Sequence, residues 1–318
     1  MPSQRQVALS RTIQRRTGPT FHLATSVLPR RIRHPVYVLY AFFRLADDVV
    51  DTTESVDPEV QRRELEHIRE QALGRVEPED PVLAAFHEVK TEYGISDEEV
   101  NVFIEAMVAD VDHDPYERYE NVEEYMRGSA VAVGHMMVDV MAVDEPSIAK
   151  PHAASLAKAF QLTNFLRDVR EDQRKYDRVY LPGDTRDHFD VTAGQLRSGE
   201  VDDGFRRVMQ VELARTEHLY HHGVAGIEYL PEDCQFGVLL AAVLYAEYHR
   251  LIRNQNFDVL SKQPSIPTWR KFYVLAKTRL VWVLYRDPES VFERVAAIDE
   301  PPPSIDGFRL AMGESETR

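Results

Sequence analysis

The sequence contains a single cysteine, Cys234, among 318 residues. One cysteine cannot form a disulfide within the chain, which excludes a disulfide-rich secreted scaffold and is typical of a reducing compartment. Long apolar runs are lacking too, since none approaches the roughly 18 to 20 residues that span a bilayer. The arginines near the N-terminus precede no apolar segment, so no secretory signal is predicted. We therefore expect a cytoplasmic protein with at most peripheral membrane contact.

Lysine is also scarce, providing seven of the 38 basic residues against 53 acidic ones. The resulting net charge of −15 excludes a general nucleic-acid binder, because phosphate backbones are met by basic surfaces. Few lysines beside many carboxylates suggest a halophilic protein, since high salt screens the self-repulsion of an acidic surface. The sequence shows no glycine-rich phosphate loop, no zinc-type spacing and no repeat at a solenoid period.

Two carboxylates four residues apart, Asp168 and Asp172, lie in a segment with the apolar periodicity of a packed helix. In a helix such residues share one face, and Asn164 and Gln161 extend the same polar stripe. The flanks of the stripe are apolar, so we expect it to face an enclosed space. A helix from about Pro151 to Lys175 is predicted here.

A second pair with the same spacing, Asp47 and Asp51, lies in a helix predicted to begin at Pro35, with Arg44 one turn before the pair. Two such pairs on facing helices suit a diphosphate held through Mg²⁺, which binds one or two carboxylates together with substrate phosphate oxygens. A single pair of this kind is common on solvated helices, but these aspartates lie among apolar residues, where unpaired charge is costly.

These two segments resemble the squalene and phytoene synthases, a family of head-to-head prenyltransferases. The matching stretches are Leu39 to Asp51 (LYAFFRLADDVVD), Gln161 to Asp172 (QLTNFLRDVRED) and Arg178 to Pro182 (RVYLP). The resemblance implies a single-domain, all-α isoprenoid synthase fold with about a dozen helices around a central cavity. We expect the catalytic domain to span 10–290 and the acidic, proline-rich tail, 299–318, to be disordered.

The first motif resembles the phytoene branch of the family. That implies condensation of two geranylgeranyl diphosphates through prephytoene diphosphate to phytoene in carotenoid biosynthesis, without NADPH. The alternatives are a squalene or dehydrosqualene synthase using farnesyl diphosphate, a non-catalytic helical assembly factor of the same fold, and a binding module for polyprenyl lipids. The sequence indicates neither the chain length of the substrate nor the oligomeric state.

The resemblance also implies the roles of individual residues. Mg²⁺, or Mn²⁺ in its place, would be bound by Asp47, Asp48, Asp51, Asp168 and Asp172. The four paired aspartates would act in catalysis with Arg44 and Tyr125. Substrate contacts would come from Phe21, Tyr40, Arg44, Gln161, Asn164, Arg167, Arg178, Tyr180 and Tyr245. The chain departs from the family pattern at Arg170, where glycine is usual, and at Gly18 to Phe21, where a Ser-Lys-Ser-Phe-like element is usual.

Overall fold

The computed structural model describes residues 1–51, 56–112, 115–298, 304–305 and 308–309. Within them the chain forms fifteen α-helices: α1 (Gln4–Thr17), α2 (Pro19–Ser26), α3 (Arg30–Val50), α4 (Pro58–Ala72), α5 (Pro81–Tyr93), α6 (Asp97–Asp112), α7 (Tyr119–Met126), α8 (Ala132–Met141), α9 (Pro146–Tyr176), α10 (Gly183–His188), α11 (Ala193–Ser198), α12 (Asp203–Ala225), α13 (Glu232–Asn254), α14 (Thr268–Tyr285) and α15 (Pro288–Val295). A π-helical turn, Arg127–Val131, joins α7 to α8, and a 3₁₀ turn, Gly226–Tyr229, follows α12.

Two short strands, β1 (Ser304–Ile305) and β2 (Phe308–Arg309), pair in antiparallel fashion, with Ser304 opposite Arg309. Both strands lie in the tail, 299–318, that was predicted to be disordered. The other residues of this tail lie outside the described residues. The predicted all-α class is confirmed.

Side-chain caps fix several helix starts. The carboxylate of Asp57 accepts a hydrogen bond from the amide of Glu59 at 2.9 Å, and Thr192 Oγ1 accepts one from the amide of Gln195 at 3.1 Å. Asp and Thr are favoured at this position because they satisfy amides that have no partner within the first helical turn.

The two helices with the aspartate pairs begin earlier than predicted. α3 starts at Arg30 and α9 at Pro146, so that Pro35 and Pro151 lie inside their helices. A proline removes one backbone hydrogen bond and normally marks a helix start. Here Pro29 and Pro146 at the true starts define the first turns, and the inner prolines are tolerated close to those ends.

α9 is the central element of the fold. It is 31 residues long and packs against α8, α12 and α13. Its apolar side chains enter all three clusters of the core: Phe165 the one around α3 and α6, Leu156 the one around α13, and Val169 the one around α12. Because each cluster fixes one side of α9, the polar side chains on its remaining stripe have defined positions.

Candidate active site

A cavity of about 660 Å³ lies between α2, α3, α8, α9 and α13. Its wall on α9 extends from Ala149 to Arg167, which is roughly 27 Å at 1.5 Å per residue. One end is polar and includes Arg44 and Asp47, whereas the other end is lined by apolar and small side chains such as Met141 and Leu230. A long, narrow, mostly apolar space with one polar end suits an apolar chain with an anionic head.

Eight of the predicted site residues line this cavity: Phe21, Tyr40, Arg44, Asp47, Gln161, Asn164, Arg167 and Tyr245. Phe21 and Tyr245 also form part of an aromatic wall, with ring centroids 4.3 Å apart, and the ring of Phe160 lies 5.3 Å from Phe21. Phe21 belongs to the segment that departs from the family pattern, and it lines the cavity.

Two buried polar atoms among these residues have no hydrogen-bond partner within the described part of the chain, Arg44 Nε and Asn164 Oδ1. An unsatisfied buried polar atom costs about 1–3 kcal/mol. Both side chains line the polar end of the cavity. The unpaired donor Arg44 Nε suits an anion, and the unpaired acceptor Asn164 Oδ1 suits a cation.

The aspartate pairs of α3 and α9 face each other, as the pattern predicted. Burial and the neighbouring charge of Asp51 raise the pKa of Asp47 to about 7. The pKa of Asp172 on α9 is also raised well above its usual value, first by burial and then by the charges of Asp168 and Asp51. Repulsion between Asp51 and Asp172 shows that the two pairs share one electrostatic site.

Cations balance only part of this negative charge. Arg178 Nη1 donates to Asp51 Oδ1 at 3.1 Å, and Arg44 Nη2 lies 2.5 Å from Asp48 Oδ1. No hydrogen bond between described residues reaches the carboxylates of Asp47 or Asp172. These two carboxylates are partly exposed, so they remain available to an added cation.

Sequence reasoning missed Asp110 on α6. This buried carboxylate accepts hydrogen bonds from Tyr125 Oη at 2.7 Å and Tyr180 Oη at 3.1 Å, and burial raises its pKa to about 6. Asp110 lies three residues after Met107 on the apolar face of α6. A carboxylate on an otherwise apolar helix face was the signal in the sequence.

Tyr125, Arg178 and Tyr180 thus form a cluster with Asp110 behind the aspartates, and none of the three is among the residues that line the cavity. Arg178 connects this cluster to α3, since its Nη2 donates to the carbonyl of Val50 at 2.9 Å and to that of Asp110 at 3.3 Å. Arg178 therefore contacts Asp51, and Tyr125 and Tyr180 contact Asp110, instead of lining the cavity.

The outer aspartate of α9, Asp168, has partners of its own. Arg167 Nε donates to its Oδ1 at 2.7 Å, and Gln263 Nε2 donates to the same atom at 2.7 Å. Arg167, predicted to contact substrate, also lies 4.9 Å from the ring of Tyr248. The departure at Arg170 is explained by the carbonyl of Ser261, to which Arg170 Nη1 donates at 2.6 Å. That bond ties α9 to the loop that carries Gln263.

The residues present fit a divalent cation that is also bound by a ligand. Within the described ranges no three acidic or histidine side chains are placed to hold a metal ion by themselves. Mg²⁺ commonly takes one or two carboxylates and completes its shell with water and phosphate oxygens. The open carboxylates of Asp47 and Asp172 and the open Asn164 Oδ1 supply donors of that kind.

Comparison with known proteins agrees with this geometry. The family model for squalene/phytoene synthase matches residues 14–270. A 15-cis-phytoene synthase of Synechococcus elongatus is 30% identical over 272 residues, covering 82% of this chain and 88% of the relative. A phytoene synthase of Rhodobacter capsulatus is 32% identical over 269 residues, covering 83% and 78%. A solved dehydrosqualene synthase with bound ligand is 26% identical and superposes with a TM-score of 0.80 over 89% of this chain and 98% of that one.

The fold and the site therefore define an all-α enzyme of isoprenoid metabolism. The chain belongs to the squalene/phytoene synthase family, and it is a prenyltransferase.

Proposed function

We propose that the protein condenses two geranylgeranyl diphosphates head to head, through prephytoene diphosphate, to phytoene in a Mg²⁺-dependent reaction. The observation that carries this proposal is the pair of neighbouring aspartate motifs beside the polar end of a long apolar cavity, whose lining includes Asp47. The phytoene synthases among the relatives support the C20 substrate.

In this proposal Asp47, Asp51, Asp168 and Asp172 hold the metal, with Asp48 as an outer partner. When bound, Mg²⁺ would neutralise the diphosphate and stabilise the charge that develops on it as it leaves. Arg44 Nε, which has no partner among the described residues, would donate to a diphosphate oxygen, and Asn164 Oδ1 would supply an oxygen ligand for the cation. Arg178 positions Asp51 and also donates to the carbonyl of Asp110, whose carboxylate is held by Tyr125 and Tyr180.

The walls of the cavity protect the cationic intermediates of the reaction. Phe21, Phe160 and Tyr245 enclose the polar end in aromatic rings, whose negative faces favour a cation. The apolar remainder of the cavity excludes water, which would otherwise capture a carbocation. No reductant takes part in this reaction, so we propose that NADPH is not required.

A farnesyl-using dehydrosqualene synthase is the second candidate. The solved dehydrosqualene synthase with a TM-score of 0.80 favours it. A non-catalytic assembly factor and a metal-independent lipid-binding module are disfavoured because both aspartate pairs are present and face each other.

Two further properties belong to the proposal. We propose that the acidic, lysine-poor surface is adapted to high salt. We also propose a cytoplasmic enzyme that meets the membrane peripherally, since its substrate and product are apolar. No helix in the described ranges has the length and apolar character needed to cross a bilayer.

Product analysis tests the proposal. Purified protein in KCl and Mg²⁺ is incubated with geranylgeranyl or farnesyl diphosphate, with and without NADPH, and extracted hydrocarbons are analysed by mass spectrometry. A C40 hydrocarbon with phytoene's conjugated triene, formed without NADPH, is expected. A C30 product alone would assign the farnesyl branch, and no product from either substrate would refute the enzymatic proposal.

A further inference from the structure

One side of α14 exposes an uninterrupted row of large apolar side chains to solvent. Trp269 is 67% exposed and Leu284 71%, and the residues between them on the same side are similarly open. We call this surface the α14 face, and it comprises Trp269, Phe272, Tyr273, Leu280, Val283 and Leu284. Scattered apolar side chains are normal on a protein surface, but a contiguous row of this size marks an interaction site.

The rest of the molecule holds α14 in place with this face outward. Val274, Thr278 and Trp282 lie on the opposite side of the helix and are buried, and the helix packs against α13 and α15. With the exposed Ala276 included, the residues of this side recur every three or four positions from Trp269 to Leu284, which is the period of one helix face. The row is therefore a regular helical surface that needs no rearrangement to bind a flat partner.

The α14 face begins beside the cavity. Gln263 and Ser265 line the cavity and are themselves exposed, so the segment before α14 forms part of the cavity rim. Lys271 in the first turn of α14 lines the cavity too. Trp269 and Tyr273 lie two positions from Lys271, so they project from the other side of the same end of the helix. A surface on which the α14 face rested would therefore lie beside the exposed cavity rim at Gln263 and Ser265.

The charge of α14 differs from that of the whole chain. Between Thr268 and Tyr285 there are four basic residues and no acidic one, although the protein carries a net charge of −15. Arg270 pairs with Glu247 at 2.8 Å, whereas Arg279 and Arg286 are exposed. Exposed arginines beside aromatic and aliphatic side chains are the composition of a surface that lies at the level of lipid headgroups.

We propose that the α14 face docks on a lipid surface that contains anionic headgroups, with the cavity rim at the membrane boundary. The apolar side chains would enter the headgroup region while the arginines meet lipid phosphates. The reason for docking rests on the proposed function, since an apolar substrate and product could then pass between bilayer and cavity without crossing water. A second copy of the chain is a poorer occupant, because a twofold contact on this face would bring its own arginines together.

Vesicle binding without substrate tests this proposal separately from the proposed function. The full-length protein is sedimented with vesicles of phosphatidylcholine, with or without phosphatidylglycerol, at low and at molar KCl. The test variant is L280Q/L284Q, which removes apolar character from the middle and end of the face without changing charge. V60Q/I148Q is the matched control, since Val60 and Ile148 are exposed apolar residues elsewhere on the surface.

Wild type and V60Q/I148Q are expected to bind vesicles, and to bind them more tightly when phosphatidylglycerol is present. L280Q/L284Q is expected to bind the same vesicles at least about tenfold more weakly than wild type. The chain's two tryptophans provide an independent readout, because Trp269 lies on the face and Trp282 is 8% exposed. Brominated lipid should quench wild-type fluorescence but not that of W269F.

Equal vesicle binding by wild type and L280Q/L284Q, or no binding by wild type, would overturn the proposal. Absence of fluorescence quenching in wild type would also overturn the proposal, and this measurement does not depend on whether a variant folds. If wild type is instead a dimer that L280Q/L284Q converts to monomer, without vesicle binding, the face is a subunit interface. Hydrocarbon synthesis in detergent micelles should be unchanged in L280Q/L284Q, so failure of docking and failure of the proposed activity are distinguishable.

Discussion

Replacing Asp47 with asparagine should stabilise the metal-free protein while abolishing its activity. The carboxylate of Asp47 is held in a site where burial and Asp51 raise its pKa from 3.8 to about 7. A carboxylate whose folded-state pKa is raised costs no stability below its unfolded pKa; the cost grows as pH rises from the unfolded to the folded pKa and is constant above it. The amide of the variant would carry no charge, so the whole cost would disappear.

The size of the effect follows from the two pKa values. A difference of one in pKa corresponds to about 1.4 kcal/mol, so a rise from 3.8 to about 7 costs about 4 kcal/mol once the group is ionised. Asp47 also reaches water in the cavity, so we expect Asp47→Asn to gain about 2–4 kcal/mol at about pH 8 and less than about 2 kcal/mol at about pH 5.

Urea unfolding in EDTA at both pH values, followed by circular dichroism, measures this difference. Asp48→Asn is the matched control, since Asp48 lies next in the same helix but is exposed and pairs with Arg44, and a change within about 1 kcal/mol is expected. Mg²⁺ should stabilise wild type more than Asp47→Asn. A variant that is no more stable than wild type at the higher pH would refute the electrostatic reasoning.

Three other predictions concern different parts of the molecule. Asp110→Asn should reduce turnover at least about tenfold. Adding Tyr125→Phe should reduce it little further, because both changes affect the same hydrogen bond between Tyr125 and Asp110. Additive losses of turnover in the double variant would contradict this. A methyl group at Gly237 would lie 2.4 Å from Leu28 Cδ2, so Gly237→Ala should push Leu28 into the cavity and lower the ratio of C40 to C30 product, measured with both substrates; an unchanged ratio would argue against it. The midpoint of thermal unfolding should rise steadily up to molar KCl, whereas a constant midpoint would rule out salt adaptation.

The sequence predicts the elements of the fold well where caps and periodicity agree. Helix α14, Thr268–Tyr285, for example, begins directly after Pro267, a residue that favours a helix start. The starts of α3 and α9 were wrong because proline was taken as a helix start. A sequence shows that Pro35 cannot donate a hydrogen bond, but it does not show that the packing of the core will keep the helix intact around it.

The small residues after α7 can serve either close helix packing or space for a slender ligand, and the sequence alone does not distinguish these two uses. A Cβ on Gly128 would lie 2.3 Å from the carbonyl of Val102, so that glycine serves packing. Gly134 serves both, since its Cβ would lie 2.9 Å from the carbonyl of Ala153 and it also lines the cavity. The distinction depends on the crossing of helices distant in sequence.

The site was predicted only in part, because some of its contacts join residues that are distant in sequence. Local spacing places Asp47 with Asp51 and Asp168 with Asp172. That the two pairs act together follows from their charge, because carboxylates on facing helices suit a shared divalent cation. Asp110 joins them through tertiary contacts with Tyr125 and Tyr180, 15 and 70 residues away in sequence. No local pattern encodes those distances.

The most direct test of the account is the dependence of diphosphate binding on metal at the two aspartate pairs. An unreactive thiolodiphosphate analogue of geranylgeranyl diphosphate is titrated into wild type, Asp47→Asn, Asp172→Asn and the double variant, in Mg²⁺ and in EDTA. We expect Mg²⁺ to tighten binding to wild type at least about tenfold. The single variants should lose most of this gain, and the double variant should lose little more. Equal affinity in Mg²⁺ and EDTA, with unchanged binding in the variants, would contradict the assignment of the facing aspartates to a metal-bound diphosphate.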